Sequence, residues 1–185
     1  MTEPPRMPKE FLSRWCLGSL TPAELISEQR KWHDDPAPVL LVRITGETLI
    51  VENKCRPGFD PQKKLDEKII LDRMDHYWAL GPKIADWTKN PVQAPGLLLG
   101  IYGAPGNQII IGSVKVNSTR WSMARRDKKH GYYVPVDSVT NQDVFELRGR
   151  RLQFSRHIKF NTILSQQFLV VDAAGKVHGG RSGLP

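Results

Sequence analysis

Two apolar runs on either side of a tight turn constrain this chain most. Residues 97–103 (LLLGIYG) and 108–116 (QIIIGSVKV) are rich in aliphatic and β-branched side chains, and Ala104-Pro105-Gly106-Asn107 between them has strong turn chemistry. The pattern predicts a buried antiparallel pair. Immediately downstream, Ser118 can cap a helix over roughly 119–129 and Gly131 can end it. That helix would carry Arg120, Arg125, Arg126, Lys128 and Lys129 against the single acid Asp127. Such a density of positive charge either stays solvated or meets something negative.

The charge is unevenly placed. The whole chain of 185 residues carries +8, and residues 120–160 hold ten Arg or Lys against four acids, a surplus of six. The basic residues at stake are Arg120, Arg125, Arg126, Lys128, Lys129, Arg148, Arg150, Arg151, Arg156 and Lys159. A concentration of this kind favours a polyanionic partner, and nucleic acid over membrane because no basic helix has a broad apolar face. Trp121, Tyr132 and Tyr133 sit beside the basic run; exposed, they would stack on unpaired bases, and buried, they would be core.

The same stretch resembles the core of the GIY-YIG nucleases. The likeness spans about thirty residues: Gly100-Ile101-Tyr102, then Ile110-Ile111-Gly112-Ser113, Lys115 and Arg120-Trp121. Ile110 stands where the family has its second tyrosine, and seven residues separate it from Tyr102. The resemblance implies a metal-dependent DNA endonuclease of restriction or defence type, with Tyr102 activating water, Arg120 stabilising phosphorane charge and Mg²⁺ as cofactor. No family motif marks the metal ligand, and Glu146 is the nearest downstream acid. More loosely, Arg56-Pro57-Gly58, the helix after it, Trp78-Ala79-Leu80-Gly81, the hairpin, Trp121 and Leu147-Arg148-Gly149-Arg150-Arg151 resemble an uncharacterised module found beside GIY-YIG domains in bacterial proteins.

Residues 1–9 form a loose polar tail and Lys9–Leu17 a short helix. Thr21-Pro22-Ala23-Glu24 is a capping box with proline at the first helical position, opening a helix to about His33 with Leu25, Gln29 and Trp32 inward. Residues 39–45 and 48–53 are predicted to pair through a two-residue turn at Gly46-Glu47. After Asp60-Pro61 a long amphipathic helix is expected to reach Leu80, burying Leu65, Ile69, Met74, Tyr77 and Trp78, with Gly81-Pro82 as its stop. A short segment over Lys83–Lys89, with Ile84 and Trp87, leads into the central hairpin. Residues 132–136, 144–147, 152–155 and 167–172 read as strands, the last followed by a turn at Ala173-Ala174-Gly175-Lys176.

These elements predict an α+β fold, with helices early and a largely antiparallel sheet that can curl toward a barrel. The expected organisation is a helical extension over 1–36, one domain over 37–178 and a tail over 179–185. Cys16 and Cys55 are too few and too far apart for a zinc site or a disulfide framework, and no apolar run reaches the roughly twenty residues of a membrane span. The N-terminus lacks a secretion pattern, so a cytoplasmic protein is expected. The leading functional expectation is nucleic-acid binding, DNA before RNA, through the basic residues of 120–160 and Trp121, with no cofactor. The alternatives are the Mg²⁺-dependent endonuclease and a basic subunit docking to an acidic protein partner.

Overall fold

The two apolar runs lie in the middle of a seven-stranded sheet. The structure, a computed structural model, describes residues 17–32, 34–44, 46, 49–51, 54–56, 59–61, 63, 66–75, 80–103, 108–127, 131–137, 143–154 and 168–179. The sheet contains β1 (Ser19–Leu20), β2 (Val39–Ile44), β5 (Leu97–Tyr102), β6 (Ile109–Lys115), β9 (Arg151–Leu152), β10 (Phe168–Val171) and β11 (Val177–Gly179). Its order is β1-β9-β6-β5-β2-β10-β11. Only β1–β9 and β2–β5 are parallel, and the sheet curls into a half-barrel. Three α-helices accompany it among the described residues: α1 (Pro22–Arg30), α2 (Glu67–Asp75) and α3 (Gly81–Lys89). The fold is α+β.

Burial on both faces explains why the strand sequences run apolar without alternation. On one face Leu40, Val42, Ile44, Leu98, Ile109 and Ile111 pack with Ile70, Leu71 and Met74 of α2 and Ile84 and Trp87 of α3. On the other, Val39, Leu41, Leu97, Leu99, Ile101 and Ile110 pack with Leu20 of β1 and with Leu25 and Ile26 of α1. Residues 19–30, read above as part of an extension, therefore contribute a strand and core side chains. The capping box forms as expected: Glu24 N–H donates to Thr21 Oγ1 at 3.2 Å, and Thr21 N–H donates to a Glu24 carboxylate oxygen at 2.7 Å.

The central hairpin forms with one irregularity. Gly100 pairs with Gly112 and Ile101 with Ile110, so Ile111 is an extra residue on β6. This bulge turns Ile111 toward the helical face. Gly100 lies beneath α2, where an added Cβ would stand 2.7 Å from Ile44 Cδ1 and 2.8 Å from Met74 Cγ. Met74 is fully buried and has no room to retreat. Gly100→Ala is therefore expected to destabilise the fold by about 1 to 3 kcal/mol through overpacking, read as a lower denaturant midpoint with unchanged slope.

Several expected elements differ. β2 does not pair with the segment after Gly46-Glu47: it lies between β5 and β10, while β3 (Leu49–Val51) pairs with β4 (Lys54–Arg56). The helix expected from Pro61 starts only at Glu67 and is described as far as Asp75, and Ile69 is exposed while Ile70 and Leu71 are buried. Leu65, Tyr77 and Trp78 lie outside the described residues, as does the helix expected before Leu17. Gly81-Pro82 opens α3, and Trp32 is exposed beyond the end of α1. Residues 144–146 form a 3-10 turn, not a strand, with Phe145 and Glu146 at φ 64° and 53°. β10 and the 173–176 turn form as expected, and β11 pairs back onto β10.

Candidate nucleic-acid interface

The basic segment is not an α-helix. Ser118–Met123 is a six-residue 3-10 helix, followed by a small hairpin of β7 (Arg126–Asp127) and β8 (Gly131–Tyr132). Asn117, not Ser118, caps it: its Oδ1 accepts from Thr119 N–H at 3.2 Å. The reason lies in Trp121. Its side chain is 1 % exposed, its ring centroid is 4.5 Å from that of Trp87, and its Nε1 donates to the Pro95 carbonyl at 3.0 Å. Burying that indole outweighs the helix propensity of a segment with no apolar stripe to bury. Trp121 is core, so it is withdrawn from the residues that could meet a ligand.

Arg120, Arg125 and Arg126 are exposed on this turn and hairpin. Arg125 lies over the Tyr133 ring at 4.7 Å and Arg126 over the Tyr132 ring at 5.6 Å. Among the described residues no carboxylate forms an ion pair with any of the three. The platform under them is fixed to the core: Tyr133 N–H donates to Arg125 O at 2.8 Å and Val134 N–H to Asp75 O at 2.8 Å, at the end of α2. A guanidinium over a ring is held by cation–π attraction without using up its N–H donors.

The later arginines do different work. Arg148 Nε donates to the carbonyl of Ile111 at 2.8 Å, satisfying a backbone oxygen in the bulged stretch of β6. Its two terminal nitrogens bind the Glu67 carboxylate at 2.6 and 2.7 Å, a bidentate pair that ties β6 to the start of α2. Arg150 lies 3.5 Å from Glu28 of α1. The Glu28 carboxyl sits below its ordinary pKa, chiefly through the hydrogen bond from Lys31, against partial burial and with help from the Arg150 charge. Arg151 is half-buried in β9, and its Nε is buried without a hydrogen bond. Arg148 and Arg150 are thus engaged within the fold and leave the exposed set; Lys128, Lys129 and Arg156 lie outside the described residues.

Of the residues implied by the nuclease resemblance, Tyr102 and Arg120 lie at opposite ends of the hairpin. In the hairpin Tyr102 is opposite Ile109, and Leu97 is opposite Lys115. Arg120 follows Lys115, so it leaves the hairpin at the Leu97 end, about 16 Å along the strand from Tyr102 at 3.3 Å per residue. Tyr102 packs edge-on against Phe59 with centroids 4.8 Å apart. Burial raises the pKa of its hydroxyl, and the Asp60 charge adds to the rise. Such a group resists ionisation. Ile110 is fully buried on the opposite face of the sheet. Glu146 is exposed on the turn packed against Ser113, whose Oγ donates to Val144 O at 2.6 Å. Among the described residues, no three His, Cys, Asp or Glu gather as metal ligands, and no helix is long and apolar enough to cross a membrane.

The sequence reading did not single out the pairing of Arg125 with Tyr133 and Arg126 with Tyr132. The signal was present: two adjacent arginines and two adjacent tyrosines with Gly131 before the second pair, the spacing of a short hairpin. No protein-family model, no curated protein and no solved structure matches this chain.

Proposed function

We propose that this protein binds nucleic acid, DNA before RNA, through Arg120, Arg125 and Arg126 on the 3-10 turn and hairpin, without cleaving it. The observation that carries this reading is the arginine–tyrosine platform. Two guanidinium groups held over rings, with no acidic partner among the described residues, present N–H donors to phosphate oxygens and a flat face to a base. Pre-ordering matters, because a phosphate contact made by a held side chain loses less entropy than one made by a free chain. The +8 net charge draws the same partner at long range. The separation of Tyr102 from Arg120 by the length of the hairpin is why cleavage is left out.

Fluorescence anisotropy with labelled single- and double-stranded oligonucleotides over a salt series tests the proposal. Three phosphates neutralised on duplex DNA give a slope of about −2.7 in log affinity against log salt, and further contacts steepen it. Absence of binding at low salt, or a slope near zero, would overturn it. Oligonucleotides should remain intact when Mg²⁺ or Mn²⁺ is added.

A further inference from the structure

A cleft lies between α3 with the 3-10 turn Pro91–Gln93 on one side and the β10–β11 turn on the other. Its volume is about 410 Å³, within the range of small-molecule sites. Pro38, Val92 and Val170 give it apolar walls; Lys83, Asp86 and His178 supply polar groups. It is separate from the arginine platform, which lies beyond Trp87: that indole lines the cleft and packs on Trp121.

The polar side of the cleft is built rather than incidental. His178 Nε2 is 2.7 Å from Asp172 Oδ2, and the other oxygen of Asp172 accepts from the amides of Ala174 at 3.0 Å and Lys176 at 2.9 Å. Burial pushes the Asp172 carboxyl up, but His178 and the two amides outweigh it, so its pKa lies below the ordinary value. As a carboxylate it can only accept, so Nε2 carries the proton and Nδ1 is left for a ligand. The turn that carries this pair is fixed: Gly175 has φ +84°, and a Cβ there would stand 2.8 Å from Ala23 Cα of α1.

The charges of the cleft limit its occupant. Lys83 and Asp86 carry opposite charges three residues apart on α3, and the Asp172 carboxylate is already engaged by His178 and two backbone amides, so the lining offers a free ion no strong excess of either sign. What remains is an apolar slot with both donors and acceptors. We infer that the cleft binds an uncharged heteroaromatic molecule of the nucleobase or nucleoside class, its flat faces on Pro38, Val92 and Val170 and its polar edge on Lys83, Asp86 and His178.

The test is a titration of the full chain with adenosine, guanosine, cytidine and uridine, followed by calorimetry and by the imidazole C–H resonances of His178. Benzoate and benzylamine serve as charged aromatic controls. At least one nucleoside is expected to bind with Kd on the order of 10⁻⁴ M, tighter than either control. Val92 is 84 % exposed, so Val92→Arg blocks the cleft without disturbing the core, and it should weaken binding tenfold or more. His178→Phe should weaken it several-fold. The inference is overturned if no nucleoside shifts His178 at millimolar concentration, if benzoate or benzylamine binds as well, or if Val92→Arg leaves binding unchanged. Oligonucleotide affinity at the arginine platform is measured separately with Val92→Arg, and it should not change.

Discussion

Trp121→Ala is expected to destabilise the protein by about 3 to 5 kcal/mol, the range for emptying a large aromatic site in a core. The indole is 1 % exposed, packs at a tilt against Trp87 with centroids 4.5 Å apart and satisfies the Pro95 carbonyl through Nε1. Removing it therefore leaves both a cavity and an unpaired buried acceptor. Against a total stability of about 5 to 15 kcal/mol this is a large fraction, and the variant should melt many degrees lower. Trp121→Phe keeps most of the volume and loses the hydrogen bond, so it should cost distinctly less. Denaturant unfolding followed by circular dichroism gives both numbers. A Trp121→Ala change within about 0.5 kcal/mol would mean that the indole is at the surface, where base stacking would again be open to it.

The triple replacement of Arg120, Arg125 and Arg126 by glutamine is expected to weaken binding to duplex DNA on the order of 10²-fold near physiological salt, if each arginine neutralises one phosphate. The salt slope should become shallower by about 2.7. Stability should scarcely move, because these side chains are exposed and form no ion pair among the described residues. That combination separates a binding face from a structural one. Replacing Arg148 instead should reduce stability, since its guanidinium holds the Ile111 carbonyl and Glu67 together. A triple variant that binds as well as the parent, with the parent's slope, would place the nucleic-acid contact elsewhere or remove it.

Elements whose determining contacts are local are legible in the sequence. The Thr21-Pro22-Ala23-Glu24 cap, the 97–116 hairpin and the turn at 173–176 each depend on residues a few positions apart, and all three form. The hairpin at Gly46-Glu47 failed for a non-local reason. Val39–Ile44 is buried at nearly every position, and a strand with both faces covered belongs in the sheet interior with both edges paired. β5 and β10 offer it six and four paired residues from distant parts of the chain, whereas β3 is three residues long and pairs forward with β4.

The basic segment shows the same division. Its charge and its neighbouring aromatics are visible in the order of residues, but their sorting into core and surface is not. Trp121 is drawn inward because Trp87 and the Pro95 carbonyl wait for it, and that single burial converts the expected helix into a 3-10 turn and hairpin. The bulge at Ile111 creates the need that Arg148 fills, and α1 brings Glu28 to Arg150. Composition and spacing settle which charges the chain carries and where its local turns fall. Which arginines remain free is decided only by long-range packing, because a guanidinium takes whichever buried carbonyl or carboxylate the folded chain places within reach.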